Sequence, residues 1–231
     1  MPDLRLSVII PVLNEQHMLD NLLRHLDNIS FHRDALQIIV VDGGSTDNTI
    51  DIAKKHHVTI LNSKKGRAAQ MNTGAEYAKS DVLYFLHADT FPPRHFDKIV
   101  LKAVESRHTS GCFRMRFDSN NPILRFFAWL SRINHTLCRG GDQSLFVLKN
   151  IFHETGGFNE SYLIYEDSEF IRRLYKTTNF KVLPQQVITS ARKYHQKGWF
   201  RVQYHFAMIH FKNYLGDGPD ELYRYYSKKL L

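Results

Sequence analysis

Between residues 6 and 86 the chain alternates four compact, β-branched apolar runs with stretches of helical periodicity, and this alternation constrains its fold more than any other feature. The runs cover 6–11, 37–42, 58–62 and 82–86 and read as strands buried on both faces. Between the first two, Leu19, Leu22, Leu23, Leu26 and Ile29 recur at helical spacing. A second helix is expected over 50–55, after Ser45, Thr46 and Asp47, which can cap its start. A third is expected over 68–78, with Gly66 just before it supplying backbone freedom, and a fourth opens at Pro92 and Pro93 and runs toward Glu105. Strand-helix alternation of this kind predicts an α/β fold: a mostly parallel central sheet flanked by helices.

Beyond residue 110 the pattern loosens. Strands are expected over 113–117 and 144–148, an apolar segment after Pro122, a turn at Gly156 and Gly157, and a helical run over 168–176. The segment 199–215 carries a broad apolar stripe through Val202, Phe206 and Ile209, flanked by Tyr204, Met208, Phe211 and Leu215. Packing on the sheet is the favoured reading of that stripe, and an amphipathic face on a membrane is the other, supported by Lys197, Arg201 and Lys212 beside it. With 231 residues and 43% hydrophobic content the chain is expected to form a single domain, 1–231.

Thirty-one Lys and Arg against 23 Asp and Glu give a charge of +8, which favours an anionic partner. The basic residues are scattered in short pairs such as Lys64-Lys65 and Arg172-Arg173, so nucleic acid is not the expected one. Cys112 and Cys138 stand outside any metal or redox spacing and are expected to be reduced and inert. The start of the chain does not read as a signal peptide and no apolar run reaches membrane-spanning length, so the expected location is the cytoplasm, with peripheral membrane contact left open.

In an open parallel sheet, ligands bind beyond the carboxyl ends of the strands, and here all four ends are polar. They deliver Asn14 and Glu15, then Asp42 to Ser45, then Lys64 to Arg67, then His87 to Asp89. Singly, each has a structural reading: Asp42 and Ser45 as turn residues, Arg67 as a surface cation, Asp89 as a helix cap. Together they suit a diphosphate. A carboxylate can hold a hard divalent ion, Mn or Mg, that neutralises such a group, Arg67 and Lys65 can add charge-assisted contacts, and Asp42 can accept hydrogen bonds from a base or ribose. No Gly-rich phosphate loop of the dehydrogenase or P-loop type follows the first strand.

The motifs S-V-I-I-P-V-L-N-E from Ser7 and I-I-V-V-D-G-G-S-T-D-N-T from Ile38 resemble the opening motifs of the family 2 glycosyltransferases, with their Rossmann-like A-type nucleotide-sugar-binding fold. G-R-A-A-Q-M-N-T-G-A from Gly66, F-L-H-A-D-T from Phe85, G-D-Q from Gly141, G-G-F from Gly156 and Y-E-D-S-E-F from Tyr165 are similar to one subgroup, named for arsenosugar biosynthesis. The resemblance implies a nucleotide-sugar-binding half over 1–110 and an acceptor half with C-terminal helices over 111–231. It implies donor contacts, with a UDP-sugar expected, from Pro11, Glu15, Asp42, Gly44, Gly66, Arg67, Asn72 and Ala88, and a metal on Asp89. It implies acceptor contacts from Gly141, Asp142, Gln143 and Glu166, and Asp167 as general base of an inverting transfer to a hydroxyl. His87 stands where the family's metal motif has its first aspartate, and Gly43 where a second acidic residue follows the second strand. Without the resemblance, Asp167 reads as an acid favoured in the first turn of a helix. Arg192 and His195 could approach the diphosphate, with His195 outside the metal site. Alternatives are a binding module without catalysis, and a transferase at the membrane surface with a lipid acceptor.

Overall fold

The computed structural model describes residues 5–230. Its strands are β1 (Leu6–Val12), β2 (Leu36–Asp42), β3 (Thr59–Asn62), β4 (Val82–Phe85), β5 (Thr90–Phe91), β6 (Ser110–Phe117), β7 (Leu145–Leu148) and β8 (Phe180–Thr189). The helices are α1 (Leu19–Ile29), α2 (Thr49–Ala53), α3 (Arg67–Tyr77), α4 (Phe96–Glu105), α5 (Pro122–Leu130), α6 (Lys149–Glu154), α7 (Glu166–Thr177), α8 (Arg192–Lys197), α9 (Trp199–Tyr214) and α10 (Pro219–Leu230). All eight strands join one sheet in the order β3-β2-β1-β4-β7-β6-β8-β5.

The first four strands pair in parallel, as their apolar runs predict. The rest make the sheet mixed: β7 lies antiparallel between β4 and β6, and β5 lies antiparallel to β8, while β6 and β8 run parallel. β3, read as buried on both faces, is an edge strand and only half-buried.

Alternation along the strands divides the core into two layers. Val8, Ile10, Ile38, Val40 and Tyr84 point to one face, under Leu22 and Leu26 of α1 and Phe96 and Val100 of α4. Ile9, Ile39, Val41, Leu83 and Phe85 point to the other, under Met71 and Ala75 of α3 and Phe170 and Leu174 of α7. Gly74 lets α3 press onto β1: a Cβ there would collide with the Ile9 side chain and come 3.1 Å from Val41 Cγ2. Two smaller clusters hold the C-terminal helices. Leu124 and Ala128 of α5 meet Tyr194, Val202 and Leu230, and Ile164 meets Ile209 and Leu222.

Candidate active site

Beyond the carboxyl ends of β1 and β4 lies a cavity of about 860 Å³, walled also by the start of α3, the start of α7 and the inner faces of α8–α10. β1 contributes Pro11, Val12, Leu13 and Glu15. The chain turns at Asn14 in the left-handed region (φ 57°), where its N–H donates to Ser45 Oγ at 2.9 Å and its Oδ1 accepts from Thr46 N at 2.8 Å. Glu15 N donates to Thr49 Oγ1 at 2.8 Å, so the loops after β1 and β2 are stitched together. Arg192 Nη2 lies 3.6 Å from Glu15 Oε1, which brings the start of α8 to the end of β1. His195 instead packs edge-on against Trp199.

Asp42 folds its own loop. Its carboxylate accepts from Gly44 N at 3.0 Å and from Ser45 N and Oγ, and neither Asp42 nor Gly44 lies on the cavity wall. The space an acidic side chain at 43 would need is filled by Gln70, 3.0 Å from where a Cβ would stand. Gln70 was not among the expected site residues. Its Nε2 donates to Val12 O at 2.7 Å and Val41 O at 2.8 Å, which ties α3 to the ends of both strands. Asn72 is likewise turned away from the cavity, exchanging hydrogen bonds with the backbone of Phe158 and reaching Glu160.

Gly66 (φ 135°) starts α3 so that Arg67 reaches the cavity, with Nε 2.6 Å from Glu166 Oε1. Glu166 is wholly buried behind the wall, not on it. Burial raises its pKa, opposed by Arg67, and the Glu166 charge raises Arg67. The next residue, Asp167, is on the wall, with His87 Nε2 3.5 Å from its Oδ2. Burial works against both charges, yet each offsets it for the other: the carboxyl pKa is lowered and the imidazole pKa is raised. Tyr165, just before them, is held in the left-handed region (φ 70°), and its hydroxyl meets His210 Nδ1 at 2.9 Å and accepts from Arg172.

Ala88, Asp89, Asp142 and Gln143 complete the polar wall, and Gly141 lies in the same short 3-10 turn as the last two. Buried Arg139 positions that turn, donating to Gln143 Oε1 at 2.5 Å and to Ser131 O at 2.7 Å. The cavity thus gathers Pro11, Glu15, Gly66, Arg67, Ala88, Asp89, Asp142, Gln143 and Asp167, and leaves Asp42, Gly44, Asn72 and Glu166 off its wall. Sequence reasoning missed the opposite wall, where Lys193, Tyr194, Phe206, His210 and Tyr226 face inward. The aromatic stripe of 199–215 was the only signal for it. Val202 and Ile209 are buried as core packing requires, while Phe200, Phe211 and Tyr214 stay exposed.

Among the described residues no group of three His, Cys, Asp or Glu could hold a metal by itself. Asp142 is raised by burial and then by the like charge of Asp89, a pairing that a cation between them would relieve. Small hard cations commonly bind one or two carboxylates and complete their shell with water and substrate phosphate, and this pair fits that pattern.

The model of the family described as "Glycosyl transferase family 2" matches residues 7–158. A probable glycosyltransferase of Bacillus subtilis, YdaM, is 24% identical over 74% of the chain and 46% of its own length. An undecaprenyl-phosphate 4-deoxy-4-formamido-L-arabinose transferase of Pseudomonas savastanoi is 31% identical over 55% of the chain and 40% of its own length. The chain thus spans less than half of these curated relatives. Among solved structures, the mannosyltransferase PcManGT from Pyrobaculum calidifontis, in complex with GDP-Man and Mn2+, aligns over 96% of the chain and 69% of its own, with TM-score 0.70 and 19% identity. S. aureus TarS in complex with UDP aligns over 80% of the chain and 60% of its own, with TM-score 0.68 and 17% identity. The architecture is the A-type glycosyltransferase fold, here with a mixed sheet. With about two thirds of its length matched by the family model, the chain belongs to glycosyl transferase family 2.

Proposed function

We propose that the enzyme transfers a glycosyl group from a UDP-sugar to an acceptor hydroxyl, with inversion and with Asp167 as general base. The observation that carries this reading is the convergence on one cavity of the β1 and β4 strand ends, the Arg67 guanidinium and the Asp167–His87 pair. The donor diphosphate lies at the start of α3, where Arg67 and the free backbone N–H groups favour negative charge. The UDP of the TarS complex and the GDP-Man and Mn2+ of the PcManGT complex support a nucleotide sugar as donor. A divalent ion on Asp89 and Asp142 would supply neutralisation of the charge that develops on the leaving diphosphate.

In a single displacement the acceptor oxygen forms a bond to the anomeric carbon as the bond to the diphosphate oxygen breaks. The hydroxyl proton passes to Asp167. Because His87 keeps that carboxylate weakly basic, it accepts the proton late, once bonding to carbon has made the hydroxyl acidic. Glu166 acts behind the wall by holding Arg67, not by touching the acceptor. The resemblance to the subgroup named for arsenosugar biosynthesis is compatible with a hydroxyl acceptor.

Calorimetric titration with UDP, with and without Mn, tests the donor half of the reading on the native chain and on Asp89→Ala. Binding that needs both Mn and Asp89 is expected. Binding indifferent to both removes the metal role, and no binding to UDP removes the donor.

A further inference from the structure

We propose that the exposed face of α5 and the segment that follows it, 131–137, dock this protein on an anionic lipid bilayer. α5 forms for local reasons: Asn121 caps it, accepting from Ile123 N at 2.9 Å, and Pro122 fits its first turn. It is anchored by one side only, through Leu124 and Ala128. The other side turns large apolar groups to solvent: Phe126 is 56% exposed, Trp129 52%, and Leu137, beyond the helix, 69%. Ile123 and Ile133, in the same stretch of chain, are 41% and 44% exposed. Scattered apolar residues on a surface are ordinary, whereas five large ones within fifteen residues form a patch of the kind that marks an interaction site.

Charge selects the partner. From 119 to 141 the sequence has no acidic residue. Arg125 and Arg132 are exposed among the apolar groups, and their guanidinium groups have no carboxylate within reach among the described residues. A second copy of the chain, itself +8, would set the same arginines against each other across a symmetric contact. An anionic bilayer neutralises them, takes up the Phe and Leu side chains and suits tryptophan at its interfacial depth. The patch is also continuous with the cavity, since Phe127, Leu130 and Leu137 line its wall. Docking there would bring the cavity mouth to the lipid surface. No helix among the described residues is long and apolar enough to cross a membrane, so the contact is peripheral.

The test is flotation of the full chain with vesicles of phosphatidylcholine alone and with vesicles also containing phosphatidylglycerol. Binding is expected only to the anionic vesicles. Reversing Arg125 and Arg132 to Glu should weaken it by about thirtyfold or more, from roughly 1 kcal/mol per arginine at such a surface. Trp199→Phe leaves Trp129 as the only tryptophan, whose emission should shift to the blue on anionic vesicles. Phe126→Ser with Trp129→Ser should abolish binding and leave the melting temperature close to that of the parent, both side chains being exposed. Failure to float overturns the proposal, whether the protein is monomeric or self-associated by sedimentation. Binding lost in Phe211→Ser with Tyr214→Ser, but kept in the α5 variant, would move the contact to α9 and overturn it as well.

Discussion

At the scale of single residues, the proposed chemistry rests on two pairs, Asp167 with His87 and Arg67 with Glu166. Two adjacent carboxylates point into different surroundings: Glu166 is sealed in behind Arg67, and Asp167 opens to the cavity beside an imidazole. Asp167→Asn removes the proposed proton acceptor and keeps the volume, so turnover should fall by about a hundredfold to ten-thousandfold, with UDP affinity in calorimetry unchanged. The pair also sets a pH dependence of stability. The raised imidazole contributes in full below its ordinary 6.5 and loses this as pH climbs through the higher folded value. The lowered carboxyl contributes in full above its ordinary 3.8 and loses this as pH falls through the lower folded value. Both act together between 3.8 and 6.5, with Arg67 and Asp142 the other charged groups facing the imidazole. Melting temperatures of the parent and of His87→Asn, measured in chelator, should therefore differ most in that window and converge on either side. A constant gap would mean that His87 acts by packing alone.

At the scale of elements, α3 couples core to site, because the helix that buries Met71 and Ala75 also carries Arg67 and Gln70. Gly74→Val has no room against Ile9, and overpacking of this kind costs about 1–3 kcal/mol. Urea unfolding should report that loss, and UDP affinity should drop with it as the start of α3 moves; a stable variant that binds UDP normally would show that α3 is free to shift. This half of the molecule was legible because β1, β2 and β4 are buried on both faces and write continuous apolar runs. β8 was not, and the reason is Pro184: without an N–H it breaks the strand's ladder with β6, whose register jumps between Phe113 and Arg114. β5, two residues long, has no periodicity to read. The strand ends declared Glu15, Arg67 and Asp89, and Asp167 came only with the family resemblance, but neither told which polar residues the loops would spend on themselves. Asp42 closes its own turn and Asn72 fastens the 157–160 loop, and a sequence does not distinguish such local hydrogen bonds from ligand contacts.

At the scale of the whole molecule, the two walls of the cavity rest on cores of different size. The side formed by the strand ends and α3 stands on the extended clusters over both faces of the sheet, and the side formed by α8–α10 stands on two small ones. Regions with few buried apolar contacts open at lower free energy than the global unit. Leu222 fixes α10 through one such cluster, with Ile209 and Ile164, and is fully buried. Leu222→Ala should cost about 2–5 kcal/mol at that contact. Because the cluster is separate, the loss should be local: hydrogen exchange should quicken across 192–230 while β1, β2 and β4 keep their protection and UDP binds as before. Equal quickening in the sheet would mean that the helices and the sheet unfold as one unit, and that the far wall cannot move without dismantling the site it covers.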